Sequence, residues 1–285
     1  MITGQMGSNS SLETVGVNIK SKSILYDASR CTACRGCQGA CKQWHDLPAE
    51  RTKNVGSYQN PMELSPKTWL IIRFDERLDS KGYPVWLFNR QSCFHCDNPD
   101  CSAVCPTGAM SVRSDGVVFV NRELCIGCEN CATACPFGVP QIDKESEKSF
   151  KCDFCVDRID NGLAPACVST CPSGALTYGE REELLKEAKK RVAQLKARGF
   201  TEANVYGITS DFSTHVILVL PFSPERYSWI PKKPQHTQEV VWWKEIFSPL
   251  GAIAIGASAL AAIFHYVTIG PKRVEEALTS QDEEK

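Results

Sequence analysis

Residues 125–136 read Cys-Ile-Gly-Cys-Glu-Asn-Cys-Ala-Thr-Ala-Cys-Pro, so four cysteines are separated by two, two and three residues and are followed by proline. Two-residue spacers let one tight loop wrap three thiolates around a metal centre. The longer third spacer takes the chain into a helix, which carries the fourth thiolate away to a neighbouring centre. This is the bacterial ferredoxin spacing, and it predicts ligation of a 4Fe–4S cluster.

The motif occurs three more times, with changes in spacing. The first group keeps the spacing but is followed by Lys42 instead of proline, whereas the second and fourth groups have four and eleven residues between their second and third cysteines. The groups are Cys31, Cys34, Cys37 and Cys41; Cys93, Cys96, Cys101 and Cys105; Cys125, Cys128, Cys131 and Cys135; and Cys152, Cys155, Cys167 and Cys171. All sixteen cysteines of the chain belong to this pattern.

Disulfide bonds and zinc sites are the other uses to which so many cysteines could be put. A disulfide scaffold belongs to a secreted protein, and residues 1–16 are polar, with neither an apolar signal core nor an arginine pair. Structural zinc sites are built from pairs of Cys-x-x-Cys units and have no use for a third cysteine at this spacing. The spacing therefore favours iron–sulfur ligation over both, and it predicts four 4Fe–4S clusters.

The exchange of the fourth ligand between paired groups predicts which cysteines share a cluster. The second and third groups are separated by nineteen residues, as in a two-cluster ferredoxin, so they should exchange their last cysteines. The first and fourth groups enclose them in the sequence, and this nesting predicts that the outer groups pair with each other. The predicted sets are Cys31, Cys34, Cys37 and Cys171 (cluster 1); Cys93, Cys96, Cys101 and Cys135 (cluster 2); Cys125, Cys128, Cys131 and Cys105 (cluster 3); and Cys152, Cys155, Cys167 and Cys41 (cluster 4).

Basic residues beside the ligands have two interpretations. Packing four negatively charged clusters into one small domain calls for compensation by cations and backbone amides. Candidates that lie beside ligands in the sequence are Arg30, Arg35, Lys42, Lys151 and Arg158. Each of them could equally be a solvated surface charge. The sequence alone leaves both interpretations open.

Short strands and one amphipathic helix are predicted around the groups. The predicted elements are a hairpin over 69–88, a second hairpin over 110–120, strands over 175–178 and 215–220, and a helix over 180–198. Asp115 and Gly116 suit the turn of the second hairpin, and Gly199 suits the end of the helix. These elements predict an α+β fold with two ferredoxin-like double-cluster halves and short β-hairpins, followed by one C-terminal transmembrane α-helix.

Composition divides the chain into a cluster domain and a membrane anchor. The predicted divisions are an N-terminal extension at 1–23; a four-cluster ferredoxin-like domain at 24–221, with an outer half formed by 24–90 and 145–221 and an inner half by 91–144; a linker at 222–241; a transmembrane anchor at 242–271; and a polar tail at 272–285. Three prolines, Pro224, Pro231 and Pro234, give the linker the character of an extended tether.

The anchor is predicted from residues 246–270, twenty-five positions without Asp, Glu, Lys or Arg. A helix of that length spans about 37 Å at about 1.5 Å per residue, which exceeds the bilayer hydrocarbon thickness of about 30 Å. Trp242, Trp243 and Tyr266 suit the two membrane interfaces. The alternative is a buried helix of a soluble domain, but such helices are rarely so long and uncharged. The stretch is therefore predicted to cross the membrane once.

Small residues and one histidine indicate contacts within the bilayer. Gly251, Gly256, Ala257 and Ala261 form a small-residue face on which another membrane helix can pack. Because an intramembrane histidine is a functional candidate, His265 is either a haem ligand or a hydrogen-bonding group for a partner or a lipid head group. The lipid bilayer and a membrane partner are both predicted.

Composition and motifs exclude several function classes. The formal net charge is −1, without a basic block, so nucleic-acid binding is not predicted. The sequence shows no nucleophile with a base, no glycine-rich phosphate loop and no three-ligand metal site with an open position. With every cysteine committed to a cluster, the chain is predicted to carry electrons and to have no catalytic residue or substrate site of its own.

The four cysteine groups in this order resemble the four-cluster β subunits of molybdenum and tungsten oxidoreductases. Other stretches narrow the resemblance, which runs from about Ile24 to Pro271, to the β subunits of membrane-bound respiratory formate dehydrogenases of the nitrate-inducible type. These stretches are Trp44 to Asp46 after the first group, Lys67-Thr68-Trp69, Lys151 to Arg158, Arg191 to Gly199, and Phe264-His265-Tyr266 on to Gly270-Pro271.

This resemblance implies an αβγ complex. Its α subunit oxidises formate at a bis-pterin molybdenum or tungsten centre, and its γ subunit is a membrane cytochrome b that reduces quinone. The resemblance further implies that the outer clusters face α, that the inner clusters face the cytochrome, and that the haem ligands come from γ. It places the cluster domain on the periplasmic side of the inner membrane. The same electron-transfer chain could serve a hydrogenase or another molybdenum oxidoreductase, and this alternative stays open.

Overall fold

A computed structural model describes residues 22–78, 81–209, 212–236, 242 and 246–269 of the chain. Its strands are β1 (Lys22–Asp27), β2 (Ile71–Leu78), β3 (Pro84–Gln91), β4 (Met110–Val112), β5 (Val118–Val120), β6 (Gln141–Asp143), β7 (Lys148–Phe150), β8 (Leu176–Glu180), β9 (Asn204–Ile208) and β10 (Ser213–Leu220). Its helices are α1 (Gly36–Trp44), α2 (Asp100–Ala103), α3 (Asn130–Thr133), α4 (Val156–Asp160), α5 (Ala166–Ser169), α6 (Arg181–Ala197) and α7 (Ser248–Thr268), with a 3-10 turn at Pro224–Arg226. This mixture confirms the predicted α+β class.

A four-stranded sheet brings distant parts of the chain together, in the order β8-β1-β10-β9. β1 runs parallel to β10, with Ile24 opposite Val216, and antiparallel to β8, with Ile24 opposite Tyr178. β9 completes the sheet antiparallel to β10. Since β1 and β8 pair directly, the whole segment from Cys31 to Cys171 starts and ends at neighbouring strands of one sheet.

The two faces of this sheet are buried against different partners, because side chains alternate along a strand. One face packs against α6 in a cluster of Leu25, Ile217, Val219, Leu184, Ala188 and Leu195. The other face contributes Ile24, Tyr26, Val216 and Leu218 to the main core, which also contains Cys37, Cys41, Cys93, Cys152 and Cys167. The sheet thus separates the amphipathic helix from the cysteine groups.

Three two-stranded hairpins occur in the described residues, β2–β3, β4–β5 and β6–β7. The sequence predicted the first two, and β4–β5 turns near Gly116 as expected. The third hairpin, which was not predicted, lies against the third cysteine group. Its Lys148 Nζ donates a hydrogen bond of 2.6 Å to the carbonyl oxygen of Cys125. The hairpin therefore helps to hold the loop that contains this cysteine.

The short helices pack in two pairs, α1 against α5 and α2 against α3. The first pair brings Cys37 and Cys41 of α1 close to Cys167 of α5. The second pair brings Cys101 of α2 close to Cys131 of α3. The helices therefore join the first group to the fourth and the second group to the third.

The proline-rich stretch after β10 differs from the extended tether that its composition suggested. Its described part, 222–236, lies on the core, where Tyr227 and Ile230 are buried. The hydroxyl of Tyr206 donates a hydrogen bond of 2.8 Å to the carbonyl oxygen of Pro231. Apolar side chains between the prolines stabilise one packed path for this segment. Its C-terminal end lies outside the described residues.

Helix α7 has the length and composition of a membrane span, with twenty-one residues from Ser248 to Thr268. None of these residues is buried against the rest of the described chain. A core helix of a soluble domain would be mostly buried, so the structure gives no support to that alternative. The predicted tail at 272–285, residues 1–21 of the predicted extension, and the parts of the anchor at 243–245 and 270–271 lie outside the described residues.

Candidate metal centre

The third and fourth cysteines of each group have a common placement relative to a short helix. The third cysteine lies on the helix: Cys37 on α1, Cys101 on α2, Cys131 on α3 and Cys167 on α5. In three groups the helix ends before the fourth cysteine, which proline follows. Proline cannot continue a helix. In the first group, where Lys42 replaces it, α1 continues past Cys41 to Trp44.

The residue before the second cysteine has a positive φ angle in all four groups. These residues and their φ angles are Ala33 (51°), His95 (48°), Gly127 (68°) and Phe154 (66°). The left-handed region is unfavourable for any residue with a Cβ atom. Non-glycine residues stay in it when their surroundings hold them there, as often happens at functional sites. One loop conformation is thus repeated four times, directly before the second cysteine of each group.

Gly127 is the loop position with the least space for a side chain. A Cβ atom there would lie 2.5 Å from the carbonyl oxygen of Glu147, which real Cβ atoms do not tolerate. Its φ angle of 68° is also unfavourable for other residues. The structure thus shows a close backbone approach between the third group and the β6–β7 hairpin.

Backbone amides donate hydrogen bonds to cysteine sulfurs at several points. The amides of Ala33, His95, Met110 and Ser149 lie 3.4 Å from the Sγ atoms of Cys31, Cys93, Cys105 and Cys125, respectively. The Ser149 hydroxyl also lies 3.5 Å from Cys131 Sγ. Such donors stabilise the negative charge of thiolates that ligate a metal cluster. The donor set therefore fits an iron–sulfur cluster.

Two small cavities are each lined by four cysteines that the sequence assigned to one cluster. The lining of the first includes Cys31, Cys34, Cys37 and Cys171. The lining of the second includes Cys105, Cys125, Cys128 and Cys131. In each cavity, three cysteines come from one group and the fourth comes from the paired group. A cavity bordered by four convergent thiols suits the four-cysteine ligation of a 4Fe–4S cluster.

The other two predicted sets are also brought together. Burial raises the pKa of the Cys41 thiol, and the nearby thiolates of Cys152, Cys167 and Cys155 raise it further. Burial likewise raises the pKa of Cys96, with further contributions from Cys93, Cys135 and Cys101. Within each of the four predicted sets, the cysteines are therefore near neighbours. Their assignment as ligands stays a prediction. The sets are called sets 1 to 4 below, after the predicted clusters.

Coulomb repulsion between thiolates of different sets indicates which sets are neighbours. Such repulsion acts between Cys37 and Cys167, between Cys93 and Cys152, and between Cys101 and Cys131. These pairs connect set 1 to set 4, set 4 to set 2, and set 2 to set 3. Cys34 in set 1 and Cys128 in set 3 are exposed, whereas the other fourteen cysteines are buried or half-buried. Both ends of the line thus reach the surface.

Several of the thiols are poor nucleophiles as they stand. Burial raises the pKa of Cys135 to about 11 and that of Cys37 to about 12. Thiols with such pKa values stay protonated at neutral pH unless a metal takes the place of the proton. This chemistry favours structural metal ligation over nucleophilic catalysis.

Two cations are buried among the cysteines, one expected and one missed. Lys151 is 4% exposed, and its Nζ donates hydrogen bonds to the carbonyl oxygens of Val118 and Cys152. Arg90 is 1% exposed, and the negative charges that act on it most strongly are thiolates, that of Cys167 first. The sequence pointed to Lys151 because it precedes a ligand directly. Arg90 was missed because it lies three positions before Cys93, at the end of a strand.

Three of the other candidate cations make contacts away from the sulfurs. Arg30 lies 3.5 Å from Asp27, Lys42 donates to the carbonyl oxygen of Lys67 at 2.6 Å, and the Arg158 guanidinium lies 4.3 Å from the centre of the Trp44 ring. For these three residues, the interpretation as surface charges is favoured. Arg35 donates to the carbonyl oxygen of Tyr58 but also lines the cavity that Cys31, Cys34, Cys37 and Cys171 line, so both interpretations stay open for it.

His45 is a second residue near the sulfurs that the sequence did not single out. Its Nε2 lies 3.5 Å from Cys155 Sγ and 3.4 Å from Asp153 Oδ1, and its ring packs on Trp69 at 4.7 Å. These atoms of His45, Asp153 and Cys155 are close enough to share a metal ion. Since Cys155 belongs to set 4, the geometry fits a hydrogen bond from His45 to a ligand thiolate better than a separate metal site.

Family models match three parts of the chain. Two models described as "4Fe-4S dicluster domain" match residues 84–181 and 30–109, and one described as "Formate dehydrogenase N, transmembrane" matches residues 239–278. Two dicluster domains account for four clusters, and sixteen cysteines are the number that four clusters require. The predictions of four 4Fe–4S clusters and of one membrane span are confirmed.

The chain is also similar to named proteins over most of its length. It is 39% identical over 264 residues to the "Formate dehydrogenase-O iron-sulfur subunit" of Escherichia coli (strain K12), across 92% of this chain and 88% of that protein. It is 42% identical over 252 residues to the "Formate dehydrogenase, nitrate-inducible, iron-sulfur subunit" of the same organism, across 87% and 85%. A "Formate dehydrogenase iron-sulfur subunit" of Haemophilus influenzae is 40% identical over 256 residues, across 88% and 81%.

Proposed function

The chain belongs to the family of formate dehydrogenase iron–sulfur subunits, and we propose that it carries electrons from a formate-oxidising catalytic subunit to a partner in the membrane. The observation that carries this proposal is the line of four cysteine sets, with exposed Cys34 at one end and exposed Cys128 at the other. Electrons pass between proteins where their redox centres come close to a shared surface. A line with one exposed ligand at each end has the two terminals that such a relay needs.

The proposed ligands follow the four sets. Cluster 1 would be held by Cys31, Cys34, Cys37 and Cys171; cluster 4 by Cys41, Cys152, Cys155 and Cys167; cluster 2 by Cys93, Cys96, Cys101 and Cys135; and cluster 3 by Cys105, Cys125, Cys128 and Cys131. The two cysteine-lined cavities and the two helix pairs support this assignment. The electron path would then run through clusters 1, 4, 2 and 3 in that order.

When bound, a 4Fe–4S cluster accepts and releases one electron at a time. The residues of the chain set the conditions for that chemistry. They supply the thiolates and amide donors, and they keep water away with aromatic side chains. Phe94 and Phe154 are 2% and 1% exposed, and Phe94 stacks on Phe137 with ring centres 4.1 Å apart. An apolar shell of this kind lowers the local dielectric constant and so tunes the reduction potential.

We infer that substrate chemistry takes place on other subunits of the complex. Membership of an oxidoreductase complex follows from the family. All sixteen cysteines are accounted for by the four sets, and the described residues offer one further combination of possible metal-ligating groups, that of His45. Formate oxidation would then belong to a catalytic α subunit with molybdenum or tungsten, and quinone reduction to a cytochrome b subunit γ.

The chain is a single-pass membrane protein, with α7 as its span. We further infer that the cluster domain lies on the periplasmic side of the inner membrane, with sets 1 and 4 towards α and sets 2 and 3 towards γ. Leu124 and Ile126, which flank Cys125, are 52% and 61% exposed. Exposed apolar residues beside the terminal set are expected where a partner subunit covers it.

The proposal is tested on the complex purified anaerobically from membranes by an affinity tag on this chain. We expect about sixteen non-haem iron atoms from the four clusters of this chain, and we expect formate, but not hydrogen, to produce the electron paramagnetic resonance (EPR) signals of reduced clusters. Mass spectrometry of the purified complex should identify a large molybdenum or tungsten subunit and a cytochrome b. If hydrogen reduces the clusters and formate does not, the chain serves a hydrogenase instead.

A further inference from the structure

Arg90 is the largest of the fully buried side chains in the described part of the chain. It lies on β3 opposite Ile72 of β2, and only two residues separate it from Cys93, the first ligand of the second group. Burying a guanidinium is costly unless its charge is compensated, because the group keeps its positive charge at any physiological pH. The residues around Arg90 must therefore provide negative charge in the functional protein.

The compensating charge at Arg90 comes from cysteine and not from carboxylate. Nε and Nη2 of Arg90 have no hydrogen-bond acceptor among the described residues. The negative groups that act on it most strongly are the thiolates of Cys167, Cys152, Cys37 and Cys41, in decreasing order. A thiolate-ligated cluster is an anion, so loading the sites supplies the counter-charge that the apoprotein lacks.

The thiolates near Arg90 are unevenly divided between the proposed clusters. Three of them, those of Cys41, Cys152 and Cys167, belong to set 4, whereas Cys37 belongs to set 1 and Cys93 to set 2. Reduction of a cluster adds one negative charge, and a nearby positive charge favours that state by Coulomb attraction that weakens with distance. Little water is present to screen the interaction, because all four cysteines of set 4 are buried.

We propose that Arg90 is a fixed positive charge that raises the reduction potential of the cluster held by Cys41, Cys152, Cys155 and Cys167 more than that of any other cluster. The inference rests on the ligand assignment proposed above. Arg90 is not a cluster ligand; its positive charge stabilises the electron that the cluster accepts. It makes the second step of the relay, from cluster 1 to cluster 4, more favourable than the thiolates alone would allow.

Lys151 provides a built-in comparison. It is also buried, but the thiolates on which it acts include those of Cys93 and Cys101, in set 2. Its ammonium group is also satisfied by two carbonyl oxygens, whereas two nitrogens of Arg90 have no acceptor in the part of the chain that the structure describes. Removing the charge of Arg90 should therefore act on set 4, and removing that of Lys151 should act on set 2.

The main comparison uses the purified complex with the wild-type chain and with R90M, R90K and R77M. Arg77 is the matched control, because it lies in the same hairpin, on β2, with 49% of its side chain exposed. Iron is counted, and each cluster is followed by EPR in a redox titration. The signal of cluster 4 is identified as the one that a Cys155→Ala variant removes.

In R90M, we expect full iron content and a lower midpoint potential of cluster 4. At the wild-type midpoint, the ratio of reduced to oxidised cluster 4 should fall at least tenfold, which corresponds to a shift of about 59 mV for one electron. The midpoint potentials of the other clusters should change less. R90K should restore most of the difference, and R77M should leave all four midpoints unchanged. A K151M variant should lower the midpoint potential of cluster 2 more than that of cluster 4.

R90M with full iron and an unchanged cluster 4 midpoint would overturn the proposal, and so would an equal shift of all four clusters. Should R90M lose iron, R90K and R90Q are compared instead: a lower cluster 4 midpoint in R90Q supports the proposal, and equal midpoints overturn it. A wrong ligand assignment would be detected separately from a wrong proposal for Arg90. If Cys41 and Cys155 do not hold the same cluster, Cys155→Ala and Cys41→Ala will remove different signals from a chain that keeps Arg90.

Discussion

Set 4, in the middle of the line, and set 3, at its end, surround their sulfurs in different ways. All four cysteines of set 4 are buried and Arg90 lies beside them, whereas set 3 has the exposed Cys128 and receives hydrogen bonds from Met110 and Ser149. Both sets nevertheless contain the same left-handed loop before a second cysteine, at Gly127 and Phe154. The cysteine motif thus determines that a cluster binds, and the residues around it determine its solvent exposure and its reduction potential.

This difference suits the two positions in a relay. A cluster in the middle exchanges electrons only with other clusters, so it can be sealed from water and given a fixed charge. A cluster at the end must approach a partner, so part of it has to stay near the surface until that partner binds. Neutral hydrogen bonds from backbone amides then help to stabilise it. The following predictions are ordered by the expected effect on the clusters.

The largest effect should come from breaking the line at its middle or at its end. Cys152→Ala should remove cluster 4, which lowers the non-haem iron by about four atoms per chain. Formate should then reduce cluster 1 but not clusters 2 and 3. Cys34→Ala should instead prevent formate from reducing any of the three remaining clusters, although dithionite should still reduce them. EPR after each reductant distinguishes the variants, and formate reduction of clusters 2 and 3 at the wild-type rate in Cys152→Ala would break the proposed order.

A second effect should separate two glycines of the inner half that share a backbone conformation. Gly127→Ala and Gly138→Ala both place a Cβ at a positive φ angle, which costs about 1–2 kcal/mol. Only the first also meets a carbonyl oxygen, that of Glu147, while the second meets open space. Gly127→Ala should therefore cost about 1–3 kcal/mol more and should release cluster 3 at a lower urea concentration. Cluster absorbance against urea measures this, and equal losses in the two variants would contradict the close approach.

Smaller shifts in midpoint potential should follow when a serine hydroxyl is removed at either end of the line of sets. Ser149 Oγ lies 3.5 Å from Cys131 Sγ in set 3, and Ser173 Oγ lies 3.7 Å from Cys171 Sγ in set 1. A hydrogen bond of about 0.5–1.5 kcal/mol corresponds to about 20–60 mV for one electron. Ser149→Ala should lower the midpoint of cluster 3 by that amount, and Ser173→Ala that of cluster 1 by less. Redox titration checks both, and a shift in the opposite cluster would contradict the set assignment.

The smallest effect on the clusters is expected behind the central sheet. Leu195→Ala on α6 should destabilise the domain by about 2–5 kcal/mol, because this side chain is 1% exposed and packs on the far face of the sheet. The midpoint potentials of all four clusters should stay at their wild-type values. Thermal inactivation measures the first effect and redox titration the second; a changed potential would show that the sheet does not isolate α6 from the clusters.

The sequence predicted the features that depend on local pattern. Cysteine spacing identified all sixteen thiols, and apolar periodicity identified α6, β10 and the hairpin at Met110–Val120. Periodicity could not reveal that β1 pairs in parallel with β10, because this contact joins residues such as Ile24 and Val216 across most of the chain. The order of the four sets depends on the same long-range packing.

Residues at the site were missed where their function depends on burial. Arg90 lies in a polar stretch that reads as the exposed end of a strand, and only the fold shows that it is surrounded by sulfurs. Segment 222–236 is rich in proline and suggested an extended tether, but Tyr227 and Ile230 are buried on the core. In both cases local composition indicated exposure, and tertiary packing reversed it.

The exchange of the fourth ligand between groups is the central claim, and one comparison of EPR spectra tests it most directly. Cys167 and Cys171 lie in the same group, with three residues between them. We expect Cys171→Ala to abolish the same signal as Cys34→Ala, and Cys167→Ala to abolish a different one. If Cys171→Ala and Cys167→Ala abolish the same signal while that of Cys34→Ala is another, each group holds its own cluster and the account is wrong.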